Sequence, residues 1–164
     1  MPPRFPSEGL APLEAEIMVD APVERVWDVL SDLRSMSERS PETVRMLISR
    51  SPRVGSRGLN VNRKGAVVWP TTTRITRWKP PTHDGSAAFA FHVAPTNVEW
   101  SYDLTPTDDG GTHVVERRSG LPRAGVVVRL AGRWAMGGAE NHDVELLDGM
   151  HRTLAAVKAD AERR

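Results

Sequence analysis

The chain of 164 residues has no cysteine. Disulfide frameworks, thiolate nucleophiles and cysteine-held metals are therefore excluded. Its five histidines show no ligand spacing such as two His four residues apart, so no metal site is expected. The opening MPPRFPSEGL lacks the apolar core of a secretory signal, which makes a cytoplasmic location the expectation. No transmembrane segment is expected, because the longest periodic stretch alternates apolar and charged faces. No period repeats along the chain, which excludes a solenoid. One further absence is local. Between Thr43 and His83 there is no carboxylate, while Arg45, Arg50, Arg53, Arg57, Arg63, Lys64, Arg74, Arg77 and Lys79 all fall there. Acids elsewhere bring the net charge to +1, so the informative quantity is where the charge sits.

What the chain does contain is one long amphipathic helix and the strands to cover it. From about Ala139 to Glu162, Leu146, Met150, Leu154, Val157 and Ala161 recur at steps of four and three, with Asp143, Asp148, Arg152, Lys158 and Glu162 off that stripe. Such a helix is roughly 36 Å long, and only a sheet can cover its stripe. Upstream, Leu13 to Val19 alternates as a half-buried strand. Asp20 is placed to cap a short helix carrying Val23, Val26, Trp27 and Leu30, and a second short helix or turn through Ser35 to Arg39 ends at Pro41. Period-two patterns follow at Thr43–Ser49, Gly58–Arg63, Ala66–Trp78, Ala87–Val93, Val98–Leu104 and Thr112–Arg118. Pro70 demands a bulge or an edge, and Asp108-Asp109-Gly110-Gly111 supplies a hairpin turn. Val126 to Trp134 is apolar and reads as helix. Strands segregated from helices mean an α+β domain. We expect a flexible N-terminal arm over residues 1–12 and one domain over 13–164, with about seven strands wrapped around the C-terminal helix. A cavity between the curved sheet and the straight helix is the expected functional feature.

The run Val19-Asp20-Ala21-Pro22-Val23-Glu24-Arg25-Val26-Trp27-Asp28-Val29-Leu30, the segment Trp100-Ser101-Tyr102-Asp103-Leu104 and the turn Gly110-Gly111-Thr112 resemble the START-like, Bet v 1-like (SRPBCC) superfamily with its helix-grip fold. More narrowly, the chain resembles the bacterial polyketide cyclase/dehydrase and lipid transport group over roughly residues 13 to 162. The resemblance implies a small hydrophobic ligand, aromatic, polyketide-like or lipid-like, held between sheet and helix without a cofactor. It also implies an alternative, a cyclase, aromatase or dehydratase acting on a chain carried by an acidic acyl carrier protein. Similar cyclases place an inward arginine on the strand after Val68-Trp69; here that position falls on Ile75, with Arg74 one step away and on the other face. The second-helix aromatic of such enzymes falls near Met36 and a pocket tyrosine near Thr43, so their polar machinery does not carry over.

The expected ligand-lining residues are Trp69, Ile75, Phe89, Phe91, Trp100, Tyr102, His142, Leu146 and Met150. Trp100 and Tyr102 share one strand face and either stack on a ligand or pack the core. Trp27 belongs to the core. Glu116, His142 and Arg74 are the weak catalytic candidates. Glu116 is in phase with Thr112 and Val114: facing inward it is a candidate base, facing outward it is a solvated carboxylate beside Arg117 or Arg118. The second is preferred, since Glu is seldom buried. His142 lies one turn before Leu146 and can act as acid or base, but no partner is placed with it. Asn60 and Asn62 either line the pocket or meet water. The basic run is either the solvated outer face of strands or a surface for an acidic partner, the solvated reading being preferred; no nucleic-acid motif accompanies it.

Overall fold

Alternation from Leu13 to Val19 forms strand β1, with Ala15 and Val19 buried and Glu14, Glu16 and Met18 exposed. The structure, a computed structural model, describes residues 12–120 and 139–163. The expected arm up to residue 11 and the helix expected at Val126–Trp134 lie outside those residues. After β1 the chain turns into helix α1 (Val23–Ser31), whose Val23, Val26, Trp27 and Leu30 are buried on one face. Asp20 does not cap it. The cap position is Pro22, with no side-chain cap bond, and its carbonyl accepts from the Arg25 and Val26 amides at 3.0 and 3.2 Å. The fixed φ of proline is already suited to a helix start, and Asp20 instead donates its amide to Glu162 at 2.7 Å. A 3₁₀ turn at Leu33–Ser35 leads into the four-residue helix α2 (Met36–Arg39).

Six antiparallel strands follow: β2 (Thr43–Leu47), β3 (Arg57–Lys64), β4 (Val67–Lys79), β5 (Ala87–Ala94), β6 (Val98–Pro106) and β7 (Thr112–Gly120). With β1 they make one seven-stranded curved sheet in the order β1-β7-β6-β5-β4-β3-β2. Pro70 stands opposite Val61, ahead of the first β4–β5 pair at Thr72. There β4 has a neighbour on one side only, which is where proline is tolerated. The bulge lies further on. Thr76 is the extra residue between Ile75, opposite Phe91, and Arg77, opposite Ala90. It shifts the phase so that Trp78, which joins the inner ring cluster, shares a face with Ile75, three residues away.

Helix α3 (Ala139–Glu162) lies across the concave face. Met150, Leu154, Val157 and Ala161 are buried as their spacing required, whereas Leu146 is half-buried. Ion pairs and hydrogen bonds tie α3 to the rest: Arg39 to Asp160 at 2.9 Å, Lys158 to the Met18 carbonyl at 2.8 Å and Arg25 to the Ala161 carbonyl at 2.6 Å. The core sits between its C-terminal half, α1 and the inner face of β1, β2 and β4 to β7.

Candidate functional site

Period two assigns the inner face of the sheet. Asn60 and Asn62 lie on β3, Trp69, Thr71, Thr73 and Ile75 on β4, and Phe89, Phe91 and Val93 on β5; the register places them side by side. Trp100, Tyr102 and Leu104 on β6 and Thr112, Val114, Glu116 and Arg118 on β7 continue the face, with Tyr102 opposite Glu116 and Trp100 opposite Arg118.

The expected lining residues divide into two groups. Ile75 and Phe89 have no exposed surface, and Tyr102, Met150 and Phe91 are 2%, 2% and 6% exposed. They belong to a packed cluster in which Phe89 stacks on Tyr102 at 4.7 Å and meets Trp27 and Trp78 at 5.8 and 5.6 Å. Ile75 and Phe89 therefore form core and present nothing to a guest. Trp69, Trp100 and Leu146 are half-buried although Trp69 and Trp100 face inward, and Val93 and Leu147 beside them are half-buried too. The side chain of His142 lies outside the described residues. Arg74 points outward and is exposed, the face expected from its one-residue offset from Ile75.

Glu116 overturns the preference for solvent. It is 2% exposed, and the Tyr102 hydroxyl donates to its Oε1 at 2.6 Å. Its Oε2 is buried and has no hydrogen-bond partner among the described residues. Desolvation pushes the carboxyl from 4.5 up to about 7, the Tyr102 bond opposing. Burial, with the neighbouring carboxylate, also pushes the Tyr102 phenol well above its usual value. Two residues on, Arg118 is 3% exposed and reaches Asp143 of α3 at 3.4 Å; burial lowers its guanidinium and Asp143 offsets part of that.

A second polar patch joins side chains that the sequence analysis treats separately. The Asn60 amide donates to Thr73 at 2.7 Å and Thr71 at 3.1 Å, and Asn62 donates to Thr71 at 3.0 Å. Asn60, Thr71 and Thr73 are buried, Asn62 half-buried. The signal available was the shared period-two phase of two amides with two hydroxyls on adjacent strands. Arg118 is in phase with Glu116 and lies inside with it, a placement that the same alternation carries.

A cleft of about 430 Å³ opens between the β3–β4 hairpin, the start of β2 and α3. Glu42, Arg63, Lys64, Glu145, Asp148 and Arg152 line it, and Lys64 pairs with Glu145. Its lining is charged, so it is not an apolar enclosure. Among the described residues no group of three or more His, Asp or Glu is placed to hold a metal, and no helix is long and apolar enough to cross a membrane.

Solved structures share this architecture. A polyketide-cyclase-like protein of Corynebacterium glutamicum is 22% identical, with 94% of this chain and 91% of that one covered and a TM-score of 0.63. An aromatase/cyclase of a Streptomyces species gives 20%, 93%, 94% and 0.64 in the same order. A STAR-related lipid transfer protein of Xanthomonas axonopodis gives 13%, 93%, 86% and 0.62. Identities this low establish the fold alone. No sequence match is found among curated proteins. The model of one family, polyketide cyclase / dehydrase and lipid transport, matches residues 11–162. With that match across a seven-stranded sheet gripping a C-terminal helix, this chain belongs to the polyketide cyclase / dehydrase and lipid transport family.

Proposed function

We infer that the protein binds or transfers a small hydrophobic ligand, aromatic, polyketide-like or lipid-like, at the end of the grip where inward side chains remain half-exposed. One observation carries this reading. Trp69, Val93 and Trp100 face the concave side, where complete burial is the rule a few residues away, yet each keeps accessible surface. An indole left open on an inner face offers a flat apolar contact to a guest. The packed cluster of Phe91, Tyr102 and Met150 is the floor beneath, and Leu146 is assigned to the opposite wall. Apolar burial at about 25 cal/mol per Å², less the cost of association, makes micromolar affinity the expectation. No cofactor is needed for such binding.

The second reading is a cyclase or dehydratase working on a carrier-bound chain, and Glu116 favours it. A carboxyl titrating near 7 is suited to take and return a proton at neutral pH, and its buried Oε2, without a partner among the described residues, is the oxygen free to hold it. One experiment separates the two. Glu116→Gln and His142→Asn leave the affinity for a fluorescent apolar probe nearly unchanged in both readings, but abolish product formation from a polyketide thioester only in the second. Loss of probe binding on Trp100→Ala is required by both, and unchanged binding there refutes the site.

A further inference from the structure

The outer face of the sheet is electrostatically divided. On its β1, β7 and β6 side the charge is paired: Arg117 with Glu14 and Asp103, each at 2.6 Å, while a ring nitrogen of His113 lies in hydrogen-bond contact with Glu16 at 2.8 Å. Arg77 reaches the same Asp103 at 2.9 Å, across the small side chains of Ala88 and Ala90 on β5. On the β2, β3 and β4 side the opposite holds. Arg45, Arg57, Arg63 and Arg74 are exposed, and among the described residues none of the four pairs with a carboxylate.

The same side carries the exposed hydrocarbon. Eight large hydrophobic residues are exposed among those described. Met18 and Val144 lie elsewhere; the other six, from Val44 to Val68, fall in the stretch that has no carboxylate. The register makes part of this a patch. Leu47 stands opposite Leu59, Arg45 opposite Val61, Val61 opposite Pro70 and Arg63 opposite Val68. Arg57 and Arg74 form the next pair along the face. Aliphatic side chains thus run through the middle and guanidinium groups stand around them. Solvation alone does not account for Leu59 at 43% and Val68 at 58% exposure on strands that have polar partners available elsewhere.

We propose that this outer face of β2, β3 and β4 is a docking surface for an anionic lipid bilayer. The occupant is chosen by charge and shape together. Four exposed arginines, none paired with a carboxylate among the described residues, attract a negative surface over a Debye length. Pleated strands present a broad face, which suits a laterally uniform partner better than one inserted side chain. Valine and leucine between the arginines can enter the headgroup boundary while the guanidinium groups stay with phosphates. The surface is separate from the interior site, on the opposite side of the same strands.

The test is vesicle co-sedimentation of the full chain. Binding is expected to phosphatidylglycerol-containing vesicles and not to pure phosphatidylcholine vesicles, and to fall with added salt. Arg57→Glu with Arg74→Glu is expected to weaken it roughly tenfold or more, and Leu59→Ser with Val68→Ser to weaken it at constant charge. Circular dichroism of each variant verifies folding, and binding of an apolar probe to the interior is expected to stay unchanged. Absence of binding to anionic vesicles overturns the proposal. So does binding that both double variants leave intact, or saturable binding to an acidic protein in place of vesicles.

Discussion

Replacing Glu116 with Gln perturbs the group that sequence placed in water and the fold placed inside. In the folded protein burial holds this carboxyl at about 7, against 4.5 for an ordinary one. The folded state therefore binds a proton more tightly than the unfolded state does. Stability from this group is complete below about 4.5, declines as pH rises through the window to about 7, and is flat above it. At about 1.4 kcal/mol per pH unit, the decline across that window is about 3 kcal/mol. Gln cannot ionise, and its carbonyl oxygen can still accept from Tyr102. The variant should match the wild type at pH 4.5 and exceed it by about 3 kcal/mol at pH 8.5 in urea titrations, with an unchanged slope against denaturant. Equal stabilities at both values, or a variant weaker by the same amount at both, would show that the carboxylate is not desolvated and would refute the reasoning.

Other perturbations separate core from site. Phe89→Ala removes a ring with no exposed surface and should cost about 3–5 kcal/mol in a thermal or urea melt. Trp100→Ala should leave stability within about 1 kcal/mol while weakening an apolar fluorescent probe roughly tenfold, a loss of about 1.4 kcal/mol in binding; the titration is followed by probe emission. Gly58→Ala places a Cβ 2.9 Å from the Leu47 carbonyl oxygen and 3.0 Å from the Ile48 Cβ. Backbone must shift to admit it, so a destabilisation of about 1–3 kcal/mol is expected in the same melts.

Periodicity made much of this architecture legible. The boundaries of β1 and α3 agree with the structure because each carries an uninterrupted pattern, two-residue in one case and four-and-three in the other. Strand identity was equally readable from β2 to β7. Failures arose where tertiary contacts decide. Asp20 has the chemistry of a cap, but Pro22 occupies the cap position and Glu162, 142 residues away, takes the Asp20 amide. The bulge at Thr76 has no glycine to announce it. For Glu116 residue type points to solvent, but phase decides: it shares its face with Thr112 and Val114, which are buried against the inner cluster. Ring content alone could not divide Trp100 from Tyr102. That division is set by Phe89, which covers one and not the other.

The most direct test is native mass spectrometry of the wild type and the Trp100→Ala variant after incubation with a panel of fatty acids and polycyclic aromatic compounds. The account predicts a one-to-one adduct with at least one apolar compound on the wild type, strongly reduced on the variant while its folded charge-state distribution is kept. Bare protein throughout the panel, or adducts equally abundant on both proteins, would contradict it.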